Sequence, residues 1–289
     1  MIYLALSILF STLFLLTFRF FSKPKVVSLH AITINYFTAF FMCCLLAPGA
    51  TMHLPLNHTA LTLHASSLGL LFIVVITLIP LTTKELGVSA VAIANKMSFA
   101  IPVAVAVLFY GDDVGGWKAW GLAAAVLAVL FSSFRQNERK KPAHAWAAAL
   151  PLLLFTGSGS IDALLKYNLK HQMHGDHTLM LPFMAWLFLG AGCFGLLALF
   201  AKSRGALSVP SLVAGMSLGV INMGSIYFLM KALGQDTIPD SVIFPTNNVG
   251  VIALSTLASV LIWKDKLTTF AWLGFFTSLA AIALITLAG

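Results

Sequence analysis

The sequence predicts an all-α membrane protein of ten transmembrane helices, arranged as two inverted five-helix repeats. Three observations lead there. Ten apolar stretches of roughly 17 to 25 residues follow one another, and about 20 such residues cross the hydrocarbon core of a bilayer as a helix. Apolar residues make up 60% of the chain and charged residues 9%, with a mean hydropathy of +0.96, whereas a soluble domain carries about 25% charged residues. Residues of the first half recur in the second at a near-constant spacing. With five spans per half, the second set has to enter the membrane upside down relative to the first, the usual build of secondary transporters.

The spans are expected at about 1–18, 29–47, 66–83, 88–110, 117–134, 144–165, 178–200, 210–231, 239–263 and 270–288. Met1 to Phe18 has no basic leader region and no small-residue cleavage site, so it reads as the first span rather than a signal peptide. The second span holds Asn35 and Tyr36. The longest connection, Pro48 to Ala65, contains His53, Pro55, Asn57, His58 and His64. The third span stops at Lys84, and the fourth carries Asn95, Lys96, Ser98 and Pro102. After the fifth comes Arg135-Gln-Asn-Glu-Arg-Lys-Lys141, the one strongly charged linker. It divides the chain into a first repeat, 1–135, a basic linker, 136–143, and a second repeat, 144–289. The sixth span contains Gly157-Ser-Gly-Ser160 and Asp162, and the eighth Asn222, Ser225 and Tyr227. The ninth opens with Asp240-Ser241 and continues through Pro245, Thr246, Asn247 and Asn248. Cys43, Cys44 and Cys193 all lie in apolar runs, which argues against a disulfide framework.

The repeat can be followed along the chain. A shift of 147 places Ser11 on Ser158, Arg19 on Lys166, Lys23 on Lys170 and Lys84-Glu-Leu-Gly87 on Lys231-Ala-Leu-Gly234. Six extra residues near 238–243 raise the shift to 153, which sets Asp112 on Asp265 and Gly121 on Gly274.

These residues carry a resemblance. Lys84-Glu-Leu-Gly-Val-Ser-Ala-Val-Ala-Ile-Ala-Asn95, then Ile101-Pro102 and Gly111-Asp112, resemble the drug/metabolite transporter superfamily in its ten-span EamA-type branch. The second half matches through Ala232-Leu233-Gly234, Pro245 and Trp263-Lys-Asp265-Lys-Leu-Thr268. Asp112 and Asp265 stand where that family often has Glu, and the ninth span opens with a longer segment holding two prolines. The resemblance covers nearly the whole chain. It implies a secondary transporter of small polar metabolites such as amino acids, an exporter in the bacterial inner membrane, working by alternating access through a central cavity. It does not name a substrate.

Polar groups within hydrocarbon need a partner or a hydrated cavity, so they are the candidate site. Lys96 is the strongest, about nine residues into its span and roughly 12 to 13 Å deep at 1.5 Å per residue. It would meet an anionic substrate group, take part in proton coupling, or pair with Asp162 as a structural tie. Asp162 would bind an ammonium group or a proton, or pair with Lys166 four residues on. Asn95 flanks Lys96. Asn247 and Asn248 follow Pro245, whose missing N–H frees a carbonyl one turn earlier. Asn35 and Asn222 complete the set, the alternative for each amide being a hydrogen bond between helices.

His171, His174 and His177 are spaced for one helix face, but Gly175 argues for a loop, and neither metal nor cofactor is expected. No Gly-x-Ser-x-Gly, His-Glu-x-x-His or P-loop pattern occurs, so the chain reads as no enzyme and as driven by a gradient, protons being one candidate ion. The net charge of +8 is spread singly between spans and does not indicate nucleic acid. The expected partners are lipid, a small-molecule substrate and, at most, a second copy of the chain. Odd-numbered connections hold twelve Lys and Arg, even-numbered ones Lys118, Lys166, Lys170 and Lys231, which puts the odd connections in the cytoplasm and both termini outside. The resembled family has both termini inside. Two other functions fit a chain of this kind: an intramembrane enzyme acting on a lipid through Lys96 and Asp162, and a non-transporting membrane assembly subunit.

Overall fold

The computed structural model describes residues 1–20, 26–47, 59–86, 88–113, 115–133, 144–202, 208–235, 238–264 and 269–287. Among them the regular structure is helical. In chain order the helices are α1 (Ile2–Phe20), α2 (Ser28–Leu46), α3 (Thr59–Leu86), α4 (Val88–Met97), α5 (Ala100–Tyr110), α6 (Trp117–Ser133), α7 (Leu150–Tyr167), α8 (Met180–Lys202), α9 (Val209–Leu233), α10 (Asp240–Trp263) and α11 (Thr269–Leu287). A 3-10 turn, Ala145–Ala149, leads into α7, and a π turn, Asn168–Gln172, follows it. The linker 136–143, His53, His58, Lys23, Lys25, Arg204, Asp265 and Lys266 lie outside the described residues.

Among the described residues six helical runs are long and apolar enough to cross a membrane, and four shorter apolar helical stretches accompany them: Ile2–Thr17, Ala94–Tyr110 (the end of α4 with α5), Trp117–Phe131 and Thr269–Ile285. Their outward side chains are greasy. Phe200 is 81% exposed, and Leu108 and Phe109 are each 77% exposed, which suits lipid contact and not water. The chain is a multi-pass membrane protein.

Two boundaries depart from the sequence reading. The helix of the third span starts at Thr59, not near 66, because Leu61, Ala65 and Leu68 are buried at helical spacing. His64 is therefore a helix residue rather than part of a connection. The fourth span is not one helix. It breaks at Ser98–Phe99. Pro102, in the first turn of α5, has no N–H for the carbonyl of Ser98. That carbonyl instead accepts from Ile101 N at 3.0 Å, a tighter turn that ends one helix and begins the next.

The chain forms two compact units, and neither is a sequence half. Residues 1–73 and 164–234 make the first, and 74–163 and 235–289 the second. In the first, α2 packs on α8 and α9, and α1 on α9. Gly215 and Gly219, one turn apart on α9, let two backbones approach. A Cβ on Gly215 would stand 2.6 Å from Ala31 O, and one on Gly219 2.5 Å from Asn35 O. Tyr36 and Phe188 are fully buried between α2 and α8, with ring centroids 6.4 Å apart. Helix ends are closed from neighbouring helices. Ser211 of α9 accepts from Val27 N at the start of α2 at 2.9 Å, and Lys166 Nζ donates to Leu233 O at the end of α9 at 2.8 Å. Outside the spans, Thr178 donates from hydroxyl and backbone N–H to Asp176, which holds that exposed carboxyl below its ordinary range. The bonds persist above that range and are lost as acid protonates the carboxyl.

In the second unit, α6 packs along α11, and α10 meets α5, α6 and α11. Gly121 of α6 faces Ile285 of α11, and Phe99, Leu154 and Phe244 are buried.

The crossing of α2 and α9 gives a test with a definite sign. Replacing glycine by alanine inside an exposed helix stabilises it by about 1 kcal/mol. Gly219→Ala should instead destabilise the protein by about 1 to 3 kcal/mol, because the added carbon meets backbone. Melting of the detergent-solubilised protein reads this, and a raised melting temperature would contradict the close crossing.

Candidate functional site

The seven polar candidates separate into two groups. Asn35 and Asn222 belong to the first unit, and Asn95, Lys96, Asp162, Asn247 and Asn248 to the second.

In the first group, Asn222 Nδ2 donates to Asn35 Oδ1 at 3.2 Å. Asn35 is fully buried and Asn222 7% exposed, beside the glycine crossing just described. Asn35 Nδ2 is buried with no partner among the described residues. One turn along α9, Ser225 Oγ lies 2.7 Å from Ser11 Oγ, and Ser7 Oγ donates to Ser225 O at 3.4 Å. A polar seam thus joins α1, α2 and α9 inside apolar surroundings. Its geometry is that of helix cross-links.

The second group centres on the break in the fourth span. Gly159 lets α7 close on it: a Cβ there would stand 2.7 Å from Ser98 O and 2.6 Å from Ile101 Cδ1. Ser158 Oγ donates to Asn95 Oδ1 at 2.8 Å, and Ser98 Oγ to Asn95 O at 2.7 Å. Asp162 follows Ser158 by one turn on the same face of α7, and Lys96 follows Asn95. The two charges act on each other electrostatically across this crossing. Both are half-buried, and neither forms a direct hydrogen bond or ion pair among the described residues. Lys166, four residues on from Asp162, donates one hydrogen bond to Leu233 O.

The break also changes the setting of Lys96. It lies in the last turn of α4, where the negative end of a helix dipole favours a cation, typically by 0.3 to about 2 kcal/mol. Pro102 is a candidate bending point in the sequence, but the sequence alone does not put Lys96 at a helix end.

On α10 the helix runs through Pro245 without interruption. Asn248 Nδ2 folds back to Phe244 O at 3.1 Å, and Asn247 is half-buried. The start of this helix is capped from outside. Asp112, in the turn after α5, accepts from Ser241 N at 2.9 Å and so sets a negative charge at the positive end of α10. The hydroxyls of Ser241 and Thr246 are buried without hydrogen-bond partners among the described residues. His171 lies in the π turn, His174 has φ 48°, and His177 opens a 3-10 turn, so the three do not share a helix face.

The comparisons with known proteins concern likeness over the whole chain. No family model matches it. A protein of Haemophilus influenzae, described as uncharacterized, is 28% identical over 265 residues, covering 90% of this chain and 89% of that one. A crystal structure, described only as that of a protein, superposes with a TM-score of 0.73 over 99% of this chain and 96% of its own. Sequence identity there is 12%, so the likeness is one of fold.

Asp112 offers a test separable from function. Asp112→Ala should cost about 1 kcal/mol of stability through loss of the cap, whereas Asp112→Asn, still an acceptor, should cost less. Melting in detergent measures both, and equal losses would assign the effect to charge rather than to the hydrogen bond.

Proposed function

We propose that this protein is a secondary transporter of small polar metabolites, of the drug/metabolite transporter type, with ten membrane spans in two inverted repeats. The observation that carries the transport reading is the Asn95–Lys96–Ser158–Asp162 group. Two opposite charges are held within membrane-spanning helices, coupled but not in direct contact, beside a broken helix. Intramembrane charges of this kind mark substrate and ion pathways, and discontinuous helices are the usual place for substrate sites in transporters. A zwitterion such as an amino acid fits the arrangement, its carboxylate toward Lys96 and its ammonium toward Asp162.

The repeat is supported by the bounds of three helix pairs, while α2 shifted by 147 gives 175–193 against Met180–Lys202 for α8. Adding 147 to α1 gives 149–167, against Leu150–Tyr167 for α7, and adding it to α3 gives 206–233, against Val209–Leu233 for α9. Adding 153 to α6 gives 270–286, against Thr269–Leu287 for α11. The ends of α5 and α10 agree in detail. Gly111 and Lys264, 153 apart, are both left-handed caps, with φ 73° and 55°. Their N–H groups bond to Ala106 O and Ser259 O, again 153 apart. An odd number of spans in each repeat inverts the second. Export, a bacterial inner membrane and proton coupling are the companion expectations of this reading.

The test is flux in proteoliposomes, without ATP, under an imposed proton or substrate gradient, screened over amino acids and related metabolites. Lys96→Met should leave the fold intact and reduce flux at least about tenfold, the size expected from losing one charge-assisted contact. Asp162→Asn should act through substrates that carry an ammonium group. Wild-type flux in both variants would remove this group from the pathway, and strict dependence on ATP would reject secondary transport.

A further inference from the structure

A pocket with an apolar wall and a few polar groups lies in the first unit, where the beginning of α3 meets the end of α7. It has a volume of about 220 Å³ and is lined by His64, Ser67, Leu68, Leu164 and Asn168. Nothing in the transport reading uses it.

The π turn is what builds it. The wider helical turn carries Asn168 inward, where it is 1% exposed. Asn168 Nδ2 donates to Leu164 O at 2.8 Å, which fixes the amide and leaves Oδ1 to accept from His64 Nδ1 at 3.1 Å. That hydrogen bond sets the tautomer: Nδ1 carries the hydrogen, and Nε2 is the ring nitrogen left for a ligand. Tyr167 stacks on the imidazole, centroids 6.2 Å apart at 19°, and His171 packs on Tyr167 at 4.9 Å. The ring is therefore held in position and orientation, as ligand-binding histidines are.

Its level in the membrane narrows the ligand. His64 lies five residues inside the apolar run Thr59–Thr83, and Asn168 four residues from the end of Trp146–Gln172. At 1.5 Å per residue that is about 6 to 8 Å, where acyl chains give way to the polar headgroup layer. Leu68 and Leu164 supply apolar wall. The residues that follow Asn168 are basic, with Lys170, His171, His174 and His177 set against Asp176.

We propose that this pocket is an interfacial phosphate site that takes the headgroup of an anionic phospholipid. A phosphate oxygen takes a hydrogen bond from His64 Nε2 once that nitrogen is protonated, while Asn168 holds Nδ1, and the apolar part of the lipid lies against Leu68 and Leu164. A soluble phosphate ester shares the recognised group, and the membrane level favours the lipid.

Native mass spectrometry of the full chain, purified with mixed phosphatidylglycerol and phosphatidylcholine, tests it. The wild type should retain one phosphatidylglycerol in preference to phosphatidylcholine by about tenfold, close to 1.4 kcal/mol. His64→Leu should bring the two lipids to parity. Leu164→Trp, which fills the pocket from an exposed position and keeps both hydrogen bonds, should do the same. It carries the test should His64→Leu fail to fold. Retention that survives millimolar glycerol phosphate assigns the site to lipid, and displacement assigns the same phosphate site to a soluble ester. Unchanged phosphatidylglycerol preference in Leu164→Trp, or no preference in the wild type, overturns the proposal. Lys96→Met leaves this readout unaffected, so failure here and failure of the transport reading are separate results.

Discussion

The hydrogen-bonding requirement of the backbone in a medium without water governs this protein. Each N–H and C=O within hydrocarbon has to be satisfied by protein or by a hydrated cavity. Helix interiors meet the demand by themselves, so the constraint falls on the ends and on the break at Ser98–Phe99. Three ends are closed by a side chain from elsewhere in the same unit: Val27 N by Ser211, Leu233 O by Lys166 and Ser241 N by Asp112. These contacts join segments far apart in sequence. A requirement local to one helix end thereby fixes how helices are paired, and the close glycine crossings provide the approach distance that such short side chains need.

The same requirement explains why the charged group collects at the fourth span. Pro102 deprives Ser98 of its usual backbone partner, the helix divides, and the last turn of α4 gains a field that favours Lys96. Asn95 is then turned toward Ser158 by the glycine-permitted approach of α7, which brings Asp162 within electrostatic range. Lys96 is tolerated in the membrane for reasons present in the protein alone. A substrate anion would add to that arrangement rather than create it.

Much of the architecture is legible in the sequence because lipid imposes a coarse code: length and apolarity locate helices to within a few residues. The exceptions arise where that coarse code is weak. The start of α3 lies in a stretch where Thr59, Thr62 and His64 dilute the apolar signal, and only the spacing of Leu61, Ala65 and Leu68 shows the helix. The break after Met97 is marked by one proline, yet Pro245 sits in an unbroken α10, so proline alone does not distinguish the two outcomes. The polar residues within the apolar runs were legible as a set, since such residues are few in such a chain. Their grouping was not. Asn35 and Asn222 meet each other across 187 residues of sequence, and no local pattern indicates that pairing.

On the repeat reading, the two halves share a frame but not a chemistry. With a shift of 153, Asn95 corresponds to Asn248 and Lys96 to Val249. Asn95 accepts from Ser158 of a neighbouring helix, whereas Asn248 donates to its own helix at Phe244 O, and Val249 is fully buried. The left-handed caps at Gly111 and Lys264 agree to the residue. The frame answers to the bilayer, whose demand on helix length and end-capping is the same for both halves. The charge at Lys96 answers to something that only one half meets. Under the proposed transport function, a ligand common to both halves would call for matching charges, and the single lysine fits one bound asymmetrically, with its anionic end toward the fourth span.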